Sequence, residues 1–140
     1  MAVVTRDISF NTKGKSQVVD ITRMVMEEVD TCRIKNGNIT LFVPGSTASL
    51  TTIEYERGVV SDLKGAFERL IPEKMDYKHN LAWDDGNGHS HIRASIMGPS
   101  LSIPLVNGSM TLGTWQQIIF IDFDNRSRNR QVIVQIMGEE

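Results

Sequence analysis

Apolar and polar residues alternate one for one along residues 2–10, AVVTRDISF. Val4, Arg6, Ile8 and Phe10 fall on one side, and Val3, Thr5, Asp7 and Ser9 on the other, the two-residue period of a strand. Turn-forming residues from Asn11 to Gly14 end it. The period then lengthens: Ile21, Met24, Val25, Val29 and Cys32 share one face of a helix over 21–35, with Asp20 as its N-cap and Gly37 as a left-handed C-terminal cap. NITLFVP and STASLTTIE are β-branched strand material broken at Pro44-Gly45. Val59, Val60, Leu63, Ala66, Phe67 and Leu70 predict a second helix over 58–71, ended by Pro72, with Lys64, Glu68 and Arg69 facing water. Residues 73–88 read as loop, and a short helix starts near His89 and stops at Gly98-Pro99. Asn107-Gly108 predicts a type I′ hairpin between 101–106 and the residues from Ser109. WQQIIFIDFD and RQVIVQIMG, joined by NRSRN, predict a second hairpin. The pattern as a whole predicts one α+β domain over 1–140, with antiparallel or mixed sheets in a sandwich-like arrangement and two main helices.

Composition narrows the function classes. A chain of 140 residues that is 40% hydrophobic suits one core. Its net charge of -2 supplies no field for a polyanion, so neither nucleic acid nor an anionic membrane is an expected partner. Cys32 is the lone cysteine, no leader pattern opens the chain, and no apolar run approaches the length of a membrane span. A cytoplasmic protein is the expectation.

The candidate chemistry is concentrated. His79, His89 and His91 fall within thirteen residues that also hold Asp84 and Asp85. Neutral imidazole is a common metal ligand and a proton shuttle near neutral pH, so His79, His91 and a carboxylate suit either role. A polar loop that merely shares three histidines is the plainer alternative, since their spacing matches no standard zinc signature. On the short helix, His89 and His91 diverge by about 200° and cannot share a ligand face. The Pro44-Gly45 break brings backbone amides close to the Ser46 and Thr47 hydroxyls, as an anion site or a bulge. Arg126, Arg128 and Arg130 form either a phosphate cluster or a solvated loop, and Asp84 and Asp85 suit a turn as well as a metal.

The order PGSTASLTTIEYE, His79, DGNGHSHIRASIMGPS and PLVNGSMTLGTWQQIIFIDFDNRSRNRQVIVQIMGE resembles the YjbQ family, nearly end to end. Gly113-Thr-Trp-Gln116 and the terminal Arg130 with Gly138-Glu139 are its most specific parts. Members of this family have been described as secondary thiamine-phosphate synthases. The resemblance implies a compact α+β domain, a homotrimer, and a polar pocket at or near the subunit boundary. Glu54, His79 and His91 match polar positions that the family usually keeps, and Trp115 and Gln116 match its GTWQ segment. Two departures stand out. Gly45-Ser46-Thr47-Ala48 replaces a His-Thr-Ser-Ala segment, and Ile53-Glu54-Tyr55 replaces Asn-Glu-Asn.

Three readings follow. The first is a transferase joining a pyrimidine diphosphate to a thiazole phosphate with loss of pyrophosphate. Glu54, His79 and His91 would be catalytic, with Ser46, Thr47, Trp115, Gln116 and Arg130 on the substrate. The second is a non-catalytic trimer that binds a metal or a small phosphorylated metabolite, and the third a metal-assisted hydrolase. The metal would be divalent, Mg or Zn, on His79, His91 and His89. Because the family-matched polar residues lie in three segments, Glu54, His79 and His91 are expected to converge in one polar pocket, with His89 pointing away from His91.

Overall fold

The structure is a computed structural model describing residues 1–140. Its elements in chain order are β1 (Ala2–Thr12), β2 (Gln17–Asp20), α1 (Thr22–Asp30), β3 (Asn36–Phe42), β4 (Ala48–Ile53), α2 (Arg57–Leu70), α3 (Lys78–Trp83), α4 (Gly88–Met97), β5 (Ser100–Val106), β6 (Ser109–Met110), β7 (Gln117–Asp122) and β8 (Arg128–Glu139). Every strand pairing is antiparallel. A five-stranded sheet, β1-β8-β3-β5-β6, curls as a half-barrel, and a three-stranded sheet, β2-β7-β4, faces it. The expected α+β domain with sandwich-like sheets is present, but with four helices where two main ones were expected.

Strand β7 explains the layering. Its residues Ile118, Ile119, Phe120 and Ile121 are all buried, so both of its faces need apolar cover. Ile118 and Phe120 pack with Ile39, Leu41, Val132, Val134 and Ile136 of the five-stranded sheet. Ile119 and Ile121 pack on the other side with Phe67 of α2 and Ala94 of α4. A β7-β8 hairpin would leave one of those faces bare. That expectation is overturned: β7 pairs with β2 and β4, β8 pairs with β1 and β3, and the connection crosses between sheets.

Other boundaries moved as well. Helix α1 ends at Asp30, short of residue 35, and Gly37 is no cap. Gly37 sits in β3 opposite Gly138 of β8, where an added Cβ would collide with the Met137 carbonyl. Asp20 is not the N-cap of α1, which is Ile21, but stands one residue earlier and accepts from the Thr22 backbone N–H at 3.0 Å. Strand β2 and helix α3 arise where no regular element was expected. Asn107 and Gly108 both take positive φ, 51° and 79°, as the type I′ turn requires.

Candidate functional site

Inward-facing alternation carries polar residues into one end of the sandwich. On β8, Val132, Val134 and Ile136 point into the core, so Arg130 and Arg128 begin the same inward row. On β7 the row of Ile118 and Phe120 continues to Asp122 and then Asp124, exposed by 0% and 1%. Arg130 grips Asp122 twice, Nε to Oδ2 at 2.6 Å and Nη2 to Oδ1 at 2.7 Å. Nη2 also donates to the Thr47 hydroxyl at 2.7 Å, and Thr47 donates to Asp124 Oδ2 at 3.0 Å. The Thr12 hydroxyl of β1 closes on Asp122, and Arg128 closes on Asp124 at 3.1 Å. Burial works against ionising Asp124, but the Thr47 hydroxyl and the Arg128 charge hold its carboxyl below the usual range on balance.

This network fixes Arg130 while leaving one of its nitrogens free. Nη1 makes none of those bonds and lies 3.4 Å from where a Cβ on Gly45 would stand. Gly45 is exposed and its φ lies outside the left-handed region, so its backbone does not require glycine. Gly45→His is therefore expected to shift unfolding free energy by less than about 1 kcal/mol. It should also raise zinc retained after gel filtration, measured by mass spectrometry of the metal. A destabilised variant with unchanged zinc would show that the turn, and not a missing imidazole, governs this position.

The histidines stand beside the network. The His79 and His91 rings lie 4.4 Å apart, tilted by 40°. His79 Nδ1 is 3.4 Å from Asp85 Oδ1, yet too poorly aligned for a hydrogen bond, and it has no other partner. Asp85 serves the turn as well, accepting from the Asn87 N–H, while Asp84 closes α3 in the left-handed conformation. Burial pushes His91 below the ordinary histidine range, and a charge on His79 pushes it the same way. Asp85 and Asp124 pull in the opposite direction, which puts both carboxylates within electrostatic reach of His91. Asp124 Oδ1 is buried and has no partner.

The structure thus ties Thr47 and Arg130 to Asp122 and Asp124, which sequence reasoning did not select, and sets His79, His91 and Asp85, one of the two carboxylates it named, within electrostatic reach of Asp124. Ser46 stays exposed beside them. His89 leaves the set as expected from the helical turn, lining a cavity with Lys64, Glu68 and Arg93. Convergence of Glu54 with the histidine pair fails within one chain. Glu54 lies beyond the far end of β4 from Thr47 and shares its cavity with Trp115, Tyr55 and Gln117. Gln116 hydrogen-bonds Thr52 in that same region. No three His, Cys, Asp or Glu side chains cluster tightly enough to make a ready metal cage.

An α+β protein whose paired antiparallel sheets end in a buried Arg–Asp network beside two tilted imidazoles in contact is the class that results. Residues 6–139 match the family described as UPF0047 protein YjbQ-like, and the chain belongs to that family. A UPF0047 protein of Methanothermobacter thermautotrophicus is 36% identical over 139 residues, covering 99% of this chain and 95% of the relative. A YbjQ-like protein of unknown function from Sulfolobus solfataricus P2 superposes with a TM-score of 0.94 at 34% identity, covering 99% of each chain. An uncharacterized conserved protein of the same family from Clostridium acetobutylicum gives 0.86 at 37% identity, covering 94% of this chain and 99% of its own. No helix is long and apolar enough to cross a membrane.

Proposed function

We propose that His79 and His91 are an acid–base pair acting on a small phosphorylated metabolite whose anionic group docks on Arg130. The observation that carries this reading is the pair itself, two imidazoles 4.4 Å apart in unlike surroundings. Asp85 Oδ1 stands 3.4 Å from His79 Nδ1, while burial and the neighbouring His79 charge disfavour a proton on His91. Two imidazoles in contact, only one of them against a carboxylate, have the asymmetry that an acid and a base role need. His79 would donate to a departing oxygen, His91 would accept, and the free Nη1 of Arg130 would meet negative charge. Hydrolysis of a phosphate ester, in which the attacking water gives its proton to His91, would use all of those parts; release of pyrophosphate during thiamine-phosphate synthesis, which the family resemblance suggests, would use the His79 proton and Arg130 alone, since the thiazole nitrogen attacks through its lone pair.

A divalent cation is the second reading. The orphaned His79 Nδ1 and Asp124 Oδ1 favour it, since a buried polar atom without a partner costs about 1–3 kcal/mol. Imidazole nitrogen suits Zn better than Mg. With no ready cage, Asp85 or Asp124 would have to turn toward the ion. A resident cation would add polarisation of the phosphoryl oxygen.

The homotrimer belongs to the same proposal. Leu81 and Trp83 on α3, and Ile92 and Ile96 on α4, are exposed beside the histidines, and exposed apolar patches commonly mark interaction sites. A second copy seated there would enclose a centre that one chain leaves outside any cavity. It is also the route by which a Glu54–Trp115 region could reach the histidines of a neighbour. Light scattering should give three times the chain mass of 15.7 kDa; a monomer at micromolar concentration would overturn that arrangement.

The functional test is a panel of phosphate and diphosphate esters, including the thiamine precursors, assayed for released phosphate or pyrophosphate with and without EDTA. Turnover that survives EDTA supports the acid–base pair, and turnover restored only by zinc supports the cation. Absence of turnover across the panel, with and without added zinc, overturns the catalytic reading.

A further inference from the structure

On the opposite side of α4 from His91 lies a cavity of about 440 Å³ with no hydrophobic residue in its lining. Arg93, buried at 4% exposure, forms its floor. All of that guanidinium is engaged: Nε and Nη2 donate to the Ile71 carbonyl, Nη1 to the Ser16 hydroxyl, and Nη2 to Glu68 at 2.8 Å. Glu68 is thereby neutralised. The charges left without an ion pair are the ammonium groups of Lys15 and Lys64 and the carboxylate of Glu73.

Two further features set this cavity apart from ordinary solvated surface. His89 lines it while only 3% exposed, and its Nδ1 has no hydrogen-bond partner. The rim is also strained. Gly14, Lys15 and Ser16 take φ of 71°, 56° and 61° in succession, a left-handed run that is unfavourable for residues with a Cβ. It is pinned by the Lys15 N–H bond to the Asp124 carbonyl at 2.6 Å. Gly14 is packed so closely that a Cβ there would collide with the Asp124 and Arg126 carbonyls. The outcome of that strain is that Lys15 and Ser16 both face the cavity.

We propose that this cavity is a second binding site, for the phosphate group of a hydrophilic small metabolite such as a phosphorylated polyol. Lys15 and Lys64 supply the charge, and Ser16, His89 and Asn125 the directed polar contacts. Glu73 is left to accept from the ligand's hydroxyls, and the absence of any hydrophobic side chain in the lining disfavours an aromatic base. The site shares no charged side chain with the histidine pair, so it stands whether or not that centre is catalytic.

Calorimetric titration of the full chain with glycerol 3-phosphate and with inorganic phosphate tests it. Lys64→Ala changes an exposed helix residue, and Lys15→Gly suits the left-handed backbone, so both variants keep the fold. Each should weaken glycerol 3-phosphate binding about tenfold or more, the value of one charge-assisted contact. Lys35→Ala, an exposed lysine that does not line the cavity, should bind as the parent does, and inorganic phosphate should bind more weakly than the polyol ester. The proposal is overturned if the parent shows no saturable binding at millimolar ligand. It is equally overturned if Lys64→Ala and Lys15→Gly bind normally while His91→Ala does not, which would assign the phosphate to the histidine centre.

Discussion

Arg130→Ala is expected to lower the free energy of unfolding by about 3–5 kcal/mol, the usual consequence of removing one partner from a buried ion pair. Asp122 is fully buried, and two of its contacts come from the guanidinium. Without them, only the Thr12 hydroxyl and the Asp124 N–H remain to satisfy it. Thr47 would lose a donor in the same step. Arg130→Lys should fall between, because an ammonium keeps the charge but cannot grip both carboxylate oxygens in one plane. Pairing Arg130→Met with Asp122→Leu should recover much of the loss, since removing both partners leaves neither as an unpaired charge and Asp124 keeps Arg128. Urea denaturation measures all three, and a loss under about 1 kcal/mol for Arg130→Ala would show that water reaches Asp122.

The second large effect is on chemistry rather than stability. His79→Ala and His91→Ala are each expected to reduce turnover of the best phosphorylated substrate by at least about 100-fold, the low end for removing a general acid or base. Neither ring is fully buried, so unfolding midpoints should move little. His89→Ala should leave turnover within a few-fold of the parent, because that ring faces the other side of α4. Equal losses at all three histidines would mean that helix α4 had been disturbed. Unchanged turnover in both His79→Ala and His91→Ala would remove the pair from the mechanism.

Much of this architecture is readable from period alone. The alternation of AVVTRDISF, the face of α2 and the Asn107-Gly108 turn reappear in the structure because each is decided by neighbours a few residues away. What failed depends on distant partners. IIFI reads as a strand wherever it goes, but only a third layer of helices makes it central rather than half of a hairpin. Gly37 reads as a helix cap until Gly138 is seen across the ladder.

The candidate site divides in the same way. His79 and His91 were legible as chemistry, and the helical turn separated His89 correctly. Asp122 and Asp124 were passed over although a signal was available. The inward rows Ile118, Phe120, Asp122 and Val132, Arg130, Arg128 carry charge into the sandwich, and opposite charges on facing inward rows announce a buried pair. Resemblance to the family placed Glu54 and Trp115 with the histidines, but no local pattern in the sequence states whether such a meeting occurs within one chain or between copies.

The central claim is that a phosphorylated ligand meets His79 and His91 beside Arg130. With only three histidines in the chain, selective ¹⁵N-histidine labelling gives a spectrum in which every ring can be assigned by single substitution. Titration with pyrophosphate should shift the His79 and His91 ring signals together, while the His89 signals stay in place. Arg130→Lys should weaken that response. Saturation by pyrophosphate that leaves both the His79 and His91 signals in place would contradict the account.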